Sequence, residues 1–189
     1  TDERTGIFTL MPVLPSGDSV FLMFPQIASA IQAFALIANL NSYVLDYVIR
    51  QKVAGVNMNF FLVEQFPVLP LGGYTSAVLA FVSERVLELI YSSSDHSPVS
   101  SEVDGEREPF HWDEERRFWL RTELDALYFH LYGISRDDVD YIMETFPIVK
   151  RKDEAKYGCY RTKLAILEVY DEMARCRAEG REYQTRLDP

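Results

Sequence analysis

Five residues of one short stretch carry the side chains best suited to reading base edges: Arg50, Gln51, Lys52, Asn57 and Asn59. Arg and Lys bond guanine edges or phosphate, and Gln and Asn match the paired donor and acceptor of adenine. The same residues also have a plain structural use. Arg50 and Lys52 complement the dipole at a helix C-terminus, and the two Asn residues serve turns. Around them, Asn39 to Pro70 runs from an uncharged helical stretch through a basic turn and a Gly-hinged loop to a strand ending at Phe66-Pro67-Val68-Leu69-Pro70. That order presents amides and cations on a short loop between two apolar elements.

A second basic patch comprises Lys150, Arg151, Lys152, Lys156, Arg161 and Lys163. It suits a grip on phosphates, each contact adding about one unit of salt slope. Asp153 and Glu154 interleave with it, so a charge-paired loop tying two helices together fits equally well. Glu154-Ala-Lys156 matches the last element of a common nuclease metal site. Such a site needs a further acid on an adjacent strand, whereas Asp137, Asp138 and Asp140 fall in an expected helix. His96, His111 and His130, taken with Cys159 and Cys176, show no zinc spacing, and there is no Gly-x-Ser-x-Gly elbow or phosphate loop. No catalytic residue and no metal ligand is assigned. Phe110, Trp112, Phe118, Trp119, Tyr128, Phe129 and Tyr132 cluster around one helix as core or domain interface, with a base-stacking platform as the minority use.

Charge limits the partners. Over 189 residues the net charge is −10, opposite to that of a stand-alone non-specific nucleic-acid binder. Residues 1–70 hold five acids and three bases, so most of the negative charge lies beyond them and any DNA contact must be local or assisted by another domain. Two cysteines without a disulfide pattern predict a reducing cytoplasm. The start at Thr1-Asp-Glu-Arg4, without Met or a signal segment, reads as an excised piece of a longer product. No charge occurs from Ser19 through Leu45, but Pro25, Gln26, Gln32, Asn39 and Asn41 interrupt the run, so no membrane span is expected.

The elements that must position these residues follow from pattern. Ile7–Met11 and Val20–Phe24 read as a hairpin, and Asn59–Gln65 as a further strand. A helix is expected from Ile27 to Val53, broken near Asn39–Ser42 with Ser42 capping the second part, and Gly55 ends it. Gly72-Gly73 is a hinge. Apolar spacing predicts a helix over Ser76–Tyr91 and further helices over Trp112–Tyr132, Ser135–Phe146 and Tyr160–Ala178. Gly133 stops the first of these three, Ser135-Arg-Asp-Asp138 caps the second, Pro147 ends it, and Gly180 follows the third. Residues 92–110 read as a flexible loop.

Two blocks look familiar together. One is Thr1-Asp-Glu-Arg-Thr5 with Leu40-Asn-Ser42, Asp46-Tyr47, Arg50-Gln-Lys-Val53, Gly55, Asn59-Phe-Phe61 and Gln65-Phe-Pro-Val-Leu-Pro70. The other is Glu123-Leu-Asp-Ala-Leu127, Leu131-Tyr-Gly133, Asp140-Tyr-Ile142, Thr145-Phe-Pro-Ile-Val149, Arg151-Lys-Asp-Glu154, Gly158 and Tyr160-Arg-Thr-Lys163. Both resemble the C-terminal region of large adenine-specific DNA methyltransferases of bacterial restriction-modification and phage-defence systems, including type II enzymes that fuse methyltransferase and nuclease. The resemblance implies an upstream domain that binds S-adenosylmethionine and methylates a flipped adenine, and a C-terminal target-recognition region. The family's catalytic tetrapeptide, Asn or Asp followed by two prolines and an aromatic, is missing: Asn59-Phe60-Phe61 lacks the prolines. No Gly-rich cofactor loop follows a strand.

The expected fold is therefore α+β, a small mixed β-sheet with long helices over residues 1–71 followed by a mainly α-helical segment over 72–189. The expected function is recognition of double-stranded DNA by a non-catalytic fragment that holds no cofactor itself, partnered with an upstream methyltransferase domain of the same chain. The alternative is a helical protein-interaction module that docks a subunit of a defence complex.

Overall fold

The computed structural model describes residues 3–11, 15–17, 20–27, 29–53, 58–96, 103, 105 and 108–187. Among them there is no strand, and the α+β expectation gives way to an all-helical fold. The helices are α1 (Ala30–Leu40), α2 (Tyr43–Lys52), α3 (Phe60–Val63), α4 (Ser76–Ile90), α5 (Glu114–Leu131), α6 (Arg136–Glu144), α7 (Pro147–Tyr157) and α8 (Arg161–Ala178). Short 3-10 turns occupy Leu71–Gly73 and Ser94–His96.

Each failed strand has an identifiable cause. Asn59 caps α3, its Oδ1 accepting the Leu62 amide at 3.1 Å, which turns the apolar Phe60–Val63 into a helical turn. In Ile7–Met11 the Asn41 amide takes the place of a neighbouring strand. Its Oδ1 accepts from Phe8 N at 3.0 Å and its Nδ2 donates to Phe8 O at 2.9 Å. Val20–Phe24 has no ladder partner among the described residues.

The helical expectations fare better, because capping is a local property. Ser42 breaks the long uncharged run as its pattern requires, its hydroxyl accepting from Leu45 N at 3.4 Å. Ser135 caps α6 and bonds the Asp138 carboxylate at 2.6 Å. Gly133, with φ +67°, supplies the left-handed turn between α5 and α6. Pro147 does more than close α6. It sits in the first turn of α7, where a missing amide costs nothing. The basic stretch from Lys150 to Lys156 is consequently helix rather than loop, closed by Gly158 at φ +73°.

Helix α5 lies at the centre, against α4, α8 and α2, while α1 packs on α4 and α8 also carries α6 and α7. The main core draws Phe34 and Val44 together with Val82, Tyr128, Phe129, Met143, Phe146 and Ile166, joining residues from both sides of residue 71. Among the described residues, no helix is long and apolar enough to cross a membrane.

Candidate nucleic-acid interface

Arg50, foremost of the expected base readers, uses its guanidinium inside the protein. Nη1 donates to Thr145 O at 2.9 Å and Nη2 to Glu3 O at 2.8 Å, while the group lies 4.2 Å from the centre of the Phe146 ring. The buried Nε makes no hydrogen bond and faces Asp46 Oδ2 at 3.9 Å. The side chain is 23% exposed. Arg50 thus joins the N-terminal segment to the α6–α7 turn, and its planar fork is what spans two carbonyls at once.

Its neighbours stand at the surface. Gln51 and Lys52 are exposed on the last turn of α2, where Lys52 Nζ reaches Gln65 Oε1 at 3.3 Å. Gln65 in turn donates to Phe61 O at 3.0 Å, so Lys52 lies over the α3 turn that the exposed Asn59 caps. Asn57 and Gly55 lie outside the described residues.

The second patch is neutralised from within. Glu144 of α6 receives Lys150 at 2.8 Å and Lys163 at 2.6 Å, and Lys163 also reaches Asp140 at 2.8 Å. Those lysine bonds hold the Glu144 carboxyl below its usual range. Lys152 pairs with Glu3 at 2.5 Å. Arg161 pairs with Glu115 and lies 4.0 Å from the Phe118 ring centre. Arg151 is exposed. Four of the six basic residues ride on α7 and two on the first turn of α8, and the pairing ties α6, α7, α8 and the N-terminal segment together. Glu154 and Lys156 are exposed on α7, and no group of His, Cys, Asp or Glu among the described residues is arranged to hold a metal.

Composition and spacing alone did not single out the buried polar joints. Asp46, fully buried, accepts Thr5 N and Gly6 N at 2.9 Å each and pairs with Arg4 Nε at 3.1 Å. Arg4 also donates to Asn41 O and covers the Tyr43 ring. Asp125 of α5 accepts the Tyr43 amide at 2.7 Å, at the start of α2, and burial pushes its carboxyl up to about 6. Asn39 accepts from Leu69 N at 2.9 Å and donates to Tyr132 Oη at 2.8 Å, which itself donates to Pro67 O. These residues lie in the blocks that carry the family resemblance, or directly beside them. The signal that could have marked them is an acid or amide in an otherwise apolar helix, as at Asp46 and Asn39, since such a group is buried only with partners.

A second joint anchors the C-terminal tail. Glu123, fully buried, pairs with Arg85 at 2.6 Å and accepts from Tyr183 Oη at 2.9 Å and Thr185 Oγ1 at 2.8 Å. Beside it, a groove of about 510 Å³ runs between α4 and α8 over α5, lined by Phe81, Leu127, Met173, Arg177 and Tyr183 among others. His130 on its wall stacks 3.9 Å from Tyr170, and burial lowers its pKa.

No family model, curated protein or solved structure matches the chain.

Proposed function

We propose that this chain is the non-catalytic helical portion of a larger adenine-specific DNA methyltransferase of the restriction-modification or phage-exclusion kind, and that it serves as a docking scaffold. The supporting observation is Arg50, which bridges the first motif block at Glu3 to the second at Thr145 from a largely buried position. A guanidinium that ties two backbone segments together from such a position serves the frame rather than a base edge. On this reading S-adenosylmethionine belongs to the upstream domain, and the setting is cytoplasmic.

Direct contact with double-stranded DNA is the second reading. It is favoured by the exposure of Gln51, Lys52, Asn59 and Arg151. A labelled duplex titrated with the chain at several salt concentrations separates the two. The scaffold reading expects no salt-dependent binding by the chain alone. Binding that weakens with salt and drops when Lys52 and Arg151 become Ala would establish the direct reading instead.

A further inference from the structure

Helices α4 and α8 both rest on α5, and the gap between them is the groove of about 510 Å³. On the α4 side it is lined by Ala77 and Ala80, exposed and one turn apart, whose methyl groups are too short to fill it. Leu127 of α5 and the buried Met173 of α8 line it more deeply. The wall at Phe81 is fixed from two sides: the Arg85 guanidinium lies 3.2 Å from its ring centre, and Tyr183 of the tail meets it edge-on at 6.3 Å. Tyr183 is itself tied to Glu123. The volume falls in the range of about 300–1,000 Å³ usual for small-molecule sites, and walls set before a ligand arrives lower the entropy cost of binding it.

Charge narrows the identity of the occupant. Along α8 and its C-terminal end every acid already has a basic partner: Glu168 has Arg186, Asp171 has Arg136, Glu172 has Arg175 and Arg181, and Glu179 has Arg181. Of the two arginines lining the groove, Arg181 is therefore neutralised, whereas the Arg177 guanidinium makes no ion pair or hydrogen bond among the described residues. His130, on the same wall, is lowered in pKa by burial and further by the Arg177 charge, so it is neutral at pH 7. Glu182, the one acid among the lining residues, belongs to the exposed tail and makes no ion pair with Arg177. A chain of net charge −10 repels polyanions, so one free cation beside an apolar groove suits a ligand with a single negative charge. We propose that the groove between α4 and α8 binds a small organic acid, its apolar body against Ala80, Phe81, Leu127 and Met173 and its carboxylate on Arg177. The planar guanidinium takes a carboxylate through two parallel hydrogen bonds. The assignment stands whether or not the methyltransferase reading does.

Octanoate and octanol share an apolar body and differ in the carboxylate, so a titration of each, below its micelle or solubility limit, tests both halves of the proposal. The readout is the NMR shift of alanine and methionine methyl groups in the full chain. Octanoate is expected to shift Ala77, Ala80 and Met173 saturably and to bind more tightly than octanol. Arg177→Gln weakens octanoate by about tenfold and leaves octanol unchanged, the loss of a charge-assisted hydrogen bond. Glu182→Gln removes the opposing charge and tightens octanoate alone. Ala80→Phe fills the groove and abolishes both ligands; its position is exposed on α4, so unchanged circular dichroism verifies the fold. The absence of a saturable shift at these three methyl groups overturns the proposal. So do shifts confined to Met11 and Met23, which lie exposed elsewhere. Equal affinity for acid and alcohol, or octanoate binding indifferent to Arg177→Gln, overturns the role of Arg177 and with it the class of ligand.

Discussion

Arg4 Nε lies 3.1 Å from Asp46 Oδ2 across 42 residues of sequence, and the same carboxylate gathers the amides of Thr5 and Gly6. One buried acid thereby holds the N-terminal segment against α2. Removing it leaves Arg4 with Asn41 O alone and the amides of Thr5 and Gly6 without their acceptor at a largely buried site. Asp46→Ala is expected to cost about 3–5 kcal/mol, the range for breaking a buried ion pair from one side. Urea unfolding followed by circular dichroism measures it as a lower midpoint at unchanged slope.

Arg50 should behave as a structural residue. Arg50→Ala removes two charged hydrogen bonds and a cation from the Phe146 ring, for an expected loss of about 2–4 kcal/mol. Arg50→Lys recovers only part of this, because an ammonium on a flexible stem does not span Glu3 O and Thr145 O together. Thermal unfolding of both variants reads the order wild type, Lys, Ala.

Asp125 ties stability to pH. Its carboxyl is raised by burial from 3.8 to about 6, so the folded state holds its proton more tightly than the unfolded state does. The associated stabilisation is complete below the unfolded value and is lost as pH rises from about 4 through about 6. A shift near two units corresponds to roughly 3 kcal/mol. Asp125→Asn keeps an acceptor for the Tyr43 amide and cannot ionise. Its stability relative to wild type should therefore climb by about that amount between pH 4 and pH 7, as followed by urea midpoints at each pH.

Glu144 moves in the opposite sense. Its pKa is depressed by Lys150 and Lys163, so its contribution is present above the unfolded value and is lost as pH falls through the folded one. The three side chains are partly open to solvent, and screening discounts the pair. Glu144→Gln is expected to cost less than about 1 kcal/mol. The difference should vanish near 1 M salt, where denaturant midpoints of the two proteins coincide.

The C-terminal tail hangs on Glu123. Tyr183→Phe removes one bond to a buried carboxylate that still keeps Arg85 and Thr185, so an expected cost of about 1 kcal/mol applies. Amide exchange at Arg186, whose N–H also points at Glu123 Oε1, should quicken in the variant.

Much of the helical frame was legible along the chain. Ser42, Gly133 and Ser135 act within a turn of themselves, and their positions followed from residue type and the apolar period. The three expected strands do not form among the described residues, because a strand exists only by virtue of its neighbour. Ile7–Met11 found a side-chain amide where a strand was expected, and Val20–Phe24 found only a turn bond to Gly17 and a ring contact with Phe60. The basic residues were equally ambiguous: type and spacing are the same whether a cation faces a phosphate or a carboxylate from another helix.

By itself the sequence determined where most of the longer helices begin and end, that the basic positions are few, and that the chain is acidic. Tertiary structure alone decided what the cations touch. Arg50 turned to two backbone carbonyls, and Lys163 to acids on α6, because partners 95 and about 20 residues away arrive only when the core closes. Capping is settled over about four residues, whereas a charge is satisfied by whatever the fold carries to it.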